Sequence, residues 1–295
     1  MVNFLKHQFY LNNGFTIRQF LKSRDFFHKR ALIKDKYKDS FLLRTTMKSG
    51  SNFLCSLIGN YVFNIYNGST PKRLDHNELK KKFWSSNNFL IKPFNHNPTY
   101  KYFIFEHDFE CNHKIAFNSK KIINLYRNPL DFSVSMFYFD FINREKTISN
   151  KKRFEIYKNV NHPRDMLEIL LPGFLESFKH TFDMVSKPNA LNIQYEELVR
   201  ETDKTLKKVI DFLELPLDEE IVSLAINYSS ISKLKSDEKK YASDSPLSGT
   251  DMKKVSFVRS GKIGEWEDYF SPKEFDEFLK EISKSGVSPE NFIFR

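Results

Sequence analysis

Cysteine is nearly absent: Cys55 and Cys111 are the two in 295 residues. Two thiols make no disulfide framework, which argues against the small stapled secreted folds and makes a reduced, cytoplasmic compartment the expectation. Long apolar runs are missing as well, and no stretch approaches the roughly 20 residues that span a bilayer. The opening segment, MVNFLKHQFYLNNGFTIRQFLKSR, has basic residues but no continuous apolar centre with a small-residue cleavage site, so it is not read as a signal peptide. Residues 1–36 are expected to be a docked helical segment, with peripheral membrane contact through their Phe, Leu, Lys and Arg as the other use of that composition. No internal repeat is visible.

What is present fits one large domain, with 40% hydrophobic and 28% charged residues, the balance of a soluble globular chain. Phenylalanine occurs 31 times, which points to an aromatic core or pocket. Lys+Arg 47 against Asp+Glu 37 gives a net charge of +10. That balance suits a polyanionic partner: a phosphorylated small ligand, a membrane surface or nucleic acid. No interleaved basic and aromatic motif supports the nucleic-acid alternative.

Short apolar runs rich in β-branched or aromatic residues predict strands at 41–45, 102–106, 122–126 and 190–194. Helical patterns lie between them. Phe53, Leu54, Leu57, Ile58, Tyr61, Val62 and Ile65 share one stripe. Residues 129–142 are apolar nearly all round, as in a buried helix. Leu206, Val209, Ile210 and Leu213 repeat the helical spacing, and Ser271-Pro272-Lys273-Glu274 is a capping box ahead of a last helix. Strands alternating with helices predict an α/β fold, a central parallel sheet covered on both faces, with ligands at the carboxyl ends of its strands. Residues 232–256, polar and with little periodicity, read as a mobile lid loop.

Two strand ends carry recognisable chemistry. After the first strand comes TTMKSGSNFL (45–54), then a helix. Free N–H groups and the dipole at a helix N-terminus favour an anion. Gly50 allows close backbone approach, Lys48 adds a cation, and Ser49, Ser51 and Asn52 add donors. The glycine pair of an NTP-binding loop is absent and the lysine precedes the glycine, which weakens the alternative of a nucleotide kinase or NTPase. After the third predicted strand comes RNPLDFSVS (127–135), where Asn128 suits an N-cap, Pro129 the first helical position and Asp131 the first turn. Arg127 stands at the strand end, and Ser135 lies about two turns into the helix, able to grip a second phosphate with it.

Together these segments resemble the sulfotransferases that use 3′-phosphoadenosine 5′-phosphosulfate (PAPS), most closely the cytosolic type. TTMKSGSNFL matches the family's phosphosulfate loop, T-x-x-K-S-G-T-T-W, with Ser51, Asn52 and Phe53 in place of Thr, Thr and Trp. RNPLDFSVS matches the segment that holds the 3′-phosphate. IQYEEL (193–198) resembles the Y-E-D/E-L stretch beside the adenine and puts Tyr195 there. YSSISKL (228–234) resembles the adenine cup, through Ser229, Ile231 and Leu234. FVRSGKIGEWEDYF (257–270) resembles the R-K-G-x-x-G-D-W signature, so that Arg259, Ser260 and Gly261 close on the 3′-phosphate. The motifs stand in family order across most of the chain.

The resemblance implies a P-loop-NTPase-like sulfotransferase fold, PAPS as sulfuryl donor, its desulfated form PAP as product, and no metal. It also implies in-line transfer to a hydroxyl, or an amine, of a small-molecule, lipid or saccharide acceptor. Lys48 would neutralise charge on the leaving group. The base would be His107, twenty residues before Arg127 at the end of a predicted strand, with His113 as the alternative; a histidine pKa near neutrality suits that task. The family's lysine two residues earlier is Phe105 here. The acceptor pocket is expected from the loops of 66–100 and 140–165.

Overall fold

The computed structural model describes residues 40–46, 48–66, 70–82, 89–93, 100, 102–107, 119–144, 159–185, 188–240 and 258–294. The expected N-terminal segment 1–36 lies outside them. Five strands, β1 (Ser40–Thr45), β2 (Phe89–Pro93), β3 (Tyr102–His107), β4 (Lys121–Tyr126) and β5 (Ala190–Gln194), form one sheet in the order β2-β3-β1-β4-β5. β1 is parallel to β3 and β4, and β4 to β5. β2 runs antiparallel on the edge beside β3. The four strands predicted from sequence are the parallel ones; β2 lies within 66–100, which was expected to be loop.

β1 is buried at every position, as the middle strand of a sheet covered on both faces must be. Phe41, Leu43, Ile123, Leu125 and Ile193 alternate along their strands and join a core with α1 (Ser51–Tyr66). That core also includes α6 (Thr202–Phe212) and α7 (Glu219–Tyr228). A second core packs α3 (Pro129–Arg144) and α4 (Pro163–Val185) with α9 (Pro272–Lys284) and Phe292 near the C-terminus. Short helices α2 (His76–Lys82) and α5 (Tyr195–Arg200) complete the connections. The expected capping box of α9 is formed: Ser271 accepts from the Glu274 amide and the Glu274 side chain accepts from the Ser271 amide. No helix among the described residues is long and apolar enough to cross a membrane.

The reading of 232–256 as a loop needs correction at its start, because α8 (Ile231–Lys240) continues through Lys240. Its composition is polar because few of its side chains are buried, chiefly Leu234 and Asp237. Asp237 replaces a second apolar anchor by pairing with Arg73 at 2.6 Å and accepting from the His76 amide at 3.0 Å. Residues 241–256 lie outside the described residues. Beyond them, Val258 donates to Glu238 of α8 at 3.1 Å.

The far end of α1 is anchored too. Asn60 and Asn64, one turn apart, pair with the backbone of an extended segment: Asn60 accepts from Leu74 at 2.8 Å and Asn64 from Lys72 at 2.7 Å.

Candidate active site

The sheet register sets the site. Thr45 at the carboxyl end of β1 faces His107 on one side and Leu125 on the other, and Tyr126 faces Gln194. The chain therefore leaves four parallel strands at one edge of the molecule. His107 is the last residue of β3, and the 48–50 turn, Arg127 and Tyr195 follow the ends of the other three, where ligands of such sheets bind.

The turn after β1 has positive φ at two residues, 59° at Lys48 and 86° at Gly50. Gly50 accepts from the amides of Phe53 at 2.9 Å and Leu54 at 3.1 Å, which opens α1. The amides of Ser51 and Asn52 then lie in the first turn, where an α-helix offers them no acceptor of its own. The turn and helix start have the backbone form that the sequence predicts for an anion cradle, with a difference at Ser49. The Ser49 hydroxyl is fully buried and turned inward: it donates to Thr46 O at 2.6 Å, with Leu125 O at 3.3 Å as the second acceptor within reach of the same hydrogen. Lys48 places its ammonium 4.5 Å from the centre of the Phe139 ring. Asn52 and Phe53 are part-buried at the start of α1, with Phe53 packed against the first core.

Tyr195 joins the separate motifs. A Cβ added at Gly50 would stand 2.5 Å from two of its ring carbons. The Arg127 guanidinium lies 4.5 Å from the centre of the ring. Its hydroxyl donates to Gly261 O at 3.3 Å. Gly261, at φ 71°, would clash with Ile231 if it carried a Cβ. One buried ring thus touches the first loop, the second motif and the last one, and Ile231 brings in the fourth. Of the other two residues assigned to the adenine cup, Leu234 is buried. Ser229 is fully buried and faces inward, its hydroxyl 2.8 Å from that of Ser56 on α1. It holds the segment to the helix and does not front the site.

The 259–266 segment is laid along α3. Asp131 accepts from the amides of Gly264 at 2.8 Å and Trp266 at 3.1 Å. Arg127 donates to Lys262 O at 3.0 Å and to Lys48 O at 3.4 Å, so it ties this segment to the first loop. Its Nε is buried without a hydrogen-bond partner. Arg259 pairs with Glu265 and lies over Tyr138. Ser260 accepts from the Lys262 amide at 3.2 Å, within the turn. Asp131, Ser135 and Tyr138 recur at helical spacing, so Ser135 sits on one face of α3 between the two points where the segment is held.

Sequence reasoning missed Tyr138, Glu265 and Glu196. The signal for the first was available: Asp131, Ser135 and Tyr138 make one polar stripe on a helix read as apolar nearly all round. His107 ends β3 with its backbone beside Thr45; Cys111 and His113 lie outside the described residues.

Behind the site, Glu196 is buried with Arg127 and Asn128. Asn128 caps α3 as expected, accepting from the Asp131 amide at 2.8 Å. Its amide nitrogen donates to Glu196 at 2.8 Å, and also reaches Asp131 and Ile293 O, each at 3.3 Å. The other Glu196 oxygen is buried without a partner. Burial pushes the Glu196 carboxyl up to about 7, against the pull of Arg127. Between its ordinary value of 4.5 and about 7, the folded protein holds a proton that the unfolded chain has shed. Stability from this group is therefore full at low pH and falls as pH rises through that window, by at most about 3 kcal/mol. Thermal melts from pH 5 to 8 are expected to fall more for wild type than for Glu196→Gln; parallel curves would show that Glu196 is ionised throughout.

The family model for the sulfotransferase domain matches residues 38–288. The 3-beta-hydroxysteroid sulfotransferase of Cavia porcellus is 28% identical over 186 residues, 61% of either chain. Sulfotransferase 2A1 of Macaca fascicularis is 26% identical over 276 residues, covering 91% of this chain and 89% of that protein. Against the first three curated relatives the chain spans 61%, 47% and 52% of their length. Mouse sulfotransferase SULT7A1, solved in complex with PAP, superposes with TM-score 0.58 at 21% identity, covering 86% of both chains. Retinol dehydratase, solved with retinol and PAP, gives TM-score 0.58 at 18% identity, covering 87% of this chain and 86% of that one. At these identities the two structures establish the fold.

Proposed function

This chain belongs to the sulfotransferase family, and from that premise we propose that it transfers the sulfuryl group of PAPS to a hydroxyl of a small acceptor. The observation that carries the reading is the convergence on Tyr195: the cradle at Gly50, the arginine of the second motif and the closing segment at Gly261 all meet one ring. A donor with phosphates at both its 5′ and 3′ positions fits those residues. The first-turn amides of Ser51 and Asn52 suit the 5′ side. Arg127, Ser135 and Arg259 suit the 3′ side, with the Arg127 guanidinium oriented from behind by Glu196, 3.9 Å from its Nε.

The donor supplies an activated sulfuryl group; the chain supplies charge and alignment. Lys48, in the turn that precedes Gly50, is the cation for the leaving group. His107 is the base that takes the acceptor proton, on the strength of its place at the end of β3 beside the loop. Phe53, Tyr195, Ile231 and Leu234 form the apolar side of the nucleotide site. Relatives and structural neighbours named for hydroxysteroids and retinol favour an apolar alcohol as acceptor. A cytoplasmic setting agrees with Cys55, a buried thiol whose pKa burial pushes up and which makes no disulfide; fractionation of cells making the chain tests it.

The deciding experiment is transfer from labelled PAPS over phenols, alkyl alcohols, hydroxysteroids, glycolipids and saccharides, with calorimetry of PAP against ATP. Labelled product and preference for PAP are expected. Binding of ATP with Mg²⁺ in preference to PAP would overturn the reading, and His107→Ala at full rate would move the base elsewhere.

A further inference from the structure

Arg259 does not stand free at the end of its segment. Its guanidinium carbon lies 4.3 Å from the centre of the Tyr138 ring, and one nitrogen pairs with Glu265. The Tyr138 hydroxyl in turn lies 2.5 Å from that of Tyr269. Tyr138 belongs to α3, three residues beyond Ser135, while Tyr269 follows the 3₁₀ turn Glu265–Asp268. The two elements are fixed to each other independently, because Asp131 holds the amides of Gly264 and Trp266.

We propose that Tyr138, braced by Tyr269, is a positioning residue for Arg259: its ring is a shelf that lays the guanidinium beside Ser135 and so sets selectivity for a nucleotide bearing a 3′-phosphate. This rests on the reading of Arg259 as a 3′-phosphate ligand. Three observations support it. A guanidinium over an aromatic face is attracted by the ring's negative centre, more so when partly shielded from water, as here. All five N–H donors of a guanidinium lie in its own plane, so contact of its central carbon with the ring leaves donors at its edge. Glu265 engages one nitrogen and leaves the rest of that edge for an anion. Ser135 lies one turn from Tyr138 on the same face of α3, on the side of the helix that carries the shelf. The hydrogen bond with Tyr138 and burial push Tyr269 up to about 12, so the Tyr269 side of the brace keeps its proton at ordinary pH.

The shelf acts on the 3′ position alone, which gives it a signature that loss of folding lacks. The full chain and its Tyr138→Leu, Tyr138→Phe, Arg259→Ala and Tyr138→Leu/Arg259→Ala variants are titrated with PAP and with adenosine 5′-monophosphate, which has no 3′-phosphate. Tyr138→Leu is expected to weaken PAP about tenfold, with the monophosphate unchanged. Tyr138→Phe keeps the ring and is expected to retain most of the selectivity. The double variant should match Arg259→Ala alone. If Arg259→Ala abolishes the preference for PAP while Tyr138→Leu leaves it intact, the shelf is wrong. If Tyr138→Leu weakens both nucleotides equally, its role is structural and the shelf is again wrong. If Arg259→Ala itself leaves the preference intact, the reading of Arg259 fails first.

Discussion

Replacing Lys48 with alanine is expected to lower turnover by on the order of 10²–10³, the usual effect of removing one transition-state donor. The side chain alone is lost in this test. Lys48 already sits at φ 59°, and alanine at that position bears a similar backbone strain. The backbone contact that matters, Lys48 O accepting from Arg127, does not involve the side chain. Melting temperature and PAP affinity should therefore move little while the transfer rate collapses. The contact with Phe139 is worth on the order of 1 kcal/mol at a part-exposed site, too small to mask that separation. Single-turnover transfer from labelled PAPS reads the rate directly. A variant with wild-type turnover would remove Lys48 from the chemistry.

Gly50→Ala is expected to damage the site by geometry instead. The residue has φ 86°, where a side chain is strained, and its new Cβ would lie 2.5 Å from two carbons of Tyr195. The ring has little room to retreat, since the Arg127 guanidinium lies over it and its hydroxyl is held by Gly261. Strain and overpacking together amount to roughly 2–5 kcal/mol, and PAP affinity should fall at least about tenfold as the cradle opens. Adding Tyr195→Leu separates the two causes: stability should recover in part, because the clash is gone, while PAP affinity should not, because Arg127 loses its platform. Gly50→Ala with a wild-type melt and wild-type affinity would mean that the ring yields freely and that the three motifs are not joined through it.

Much of this was legible in the chain because the strand-turn-helix units at 41–60 and 121–139 are local. Their apolar runs, the N-cap at Asn128 and the glycine at 50 sit within a few residues of the backbone they shape. Two kinds of feature escaped. Ser49 reads as a ligand donor in sequence, but its hydroxyl turns inward to Thr46 O at 2.6 Å, with Leu125 O of the neighbouring strand at 3.3 Å, where the fold has closed the turn against β4. Helix α8 escaped because its anchor is the ion pair of Asp237 with Arg73, which leaves no hydrophobic period to read. The Tyr138–Tyr269 brace spans two distant segments and has no local trace beyond one polar stripe. The edge strand β2 is a short run, FLIKP, that closes on a proline, and it escaped because it carries no motif.

The buried amide of Asn128 has a consequence for chemical ageing. It stands between Glu196 and Asp131 and gives its hydrogens to both. Conversion of this one side chain to a carboxylate would put a third acid in a dry pocket, opposite the two it now satisfies. Asparagine usually loses its amide by cyclising onto the next backbone N–H, and the next residue is Pro129, whose nitrogen carries no hydrogen. The position where spontaneous hydrolysis would do most harm is thus one where its common route is closed.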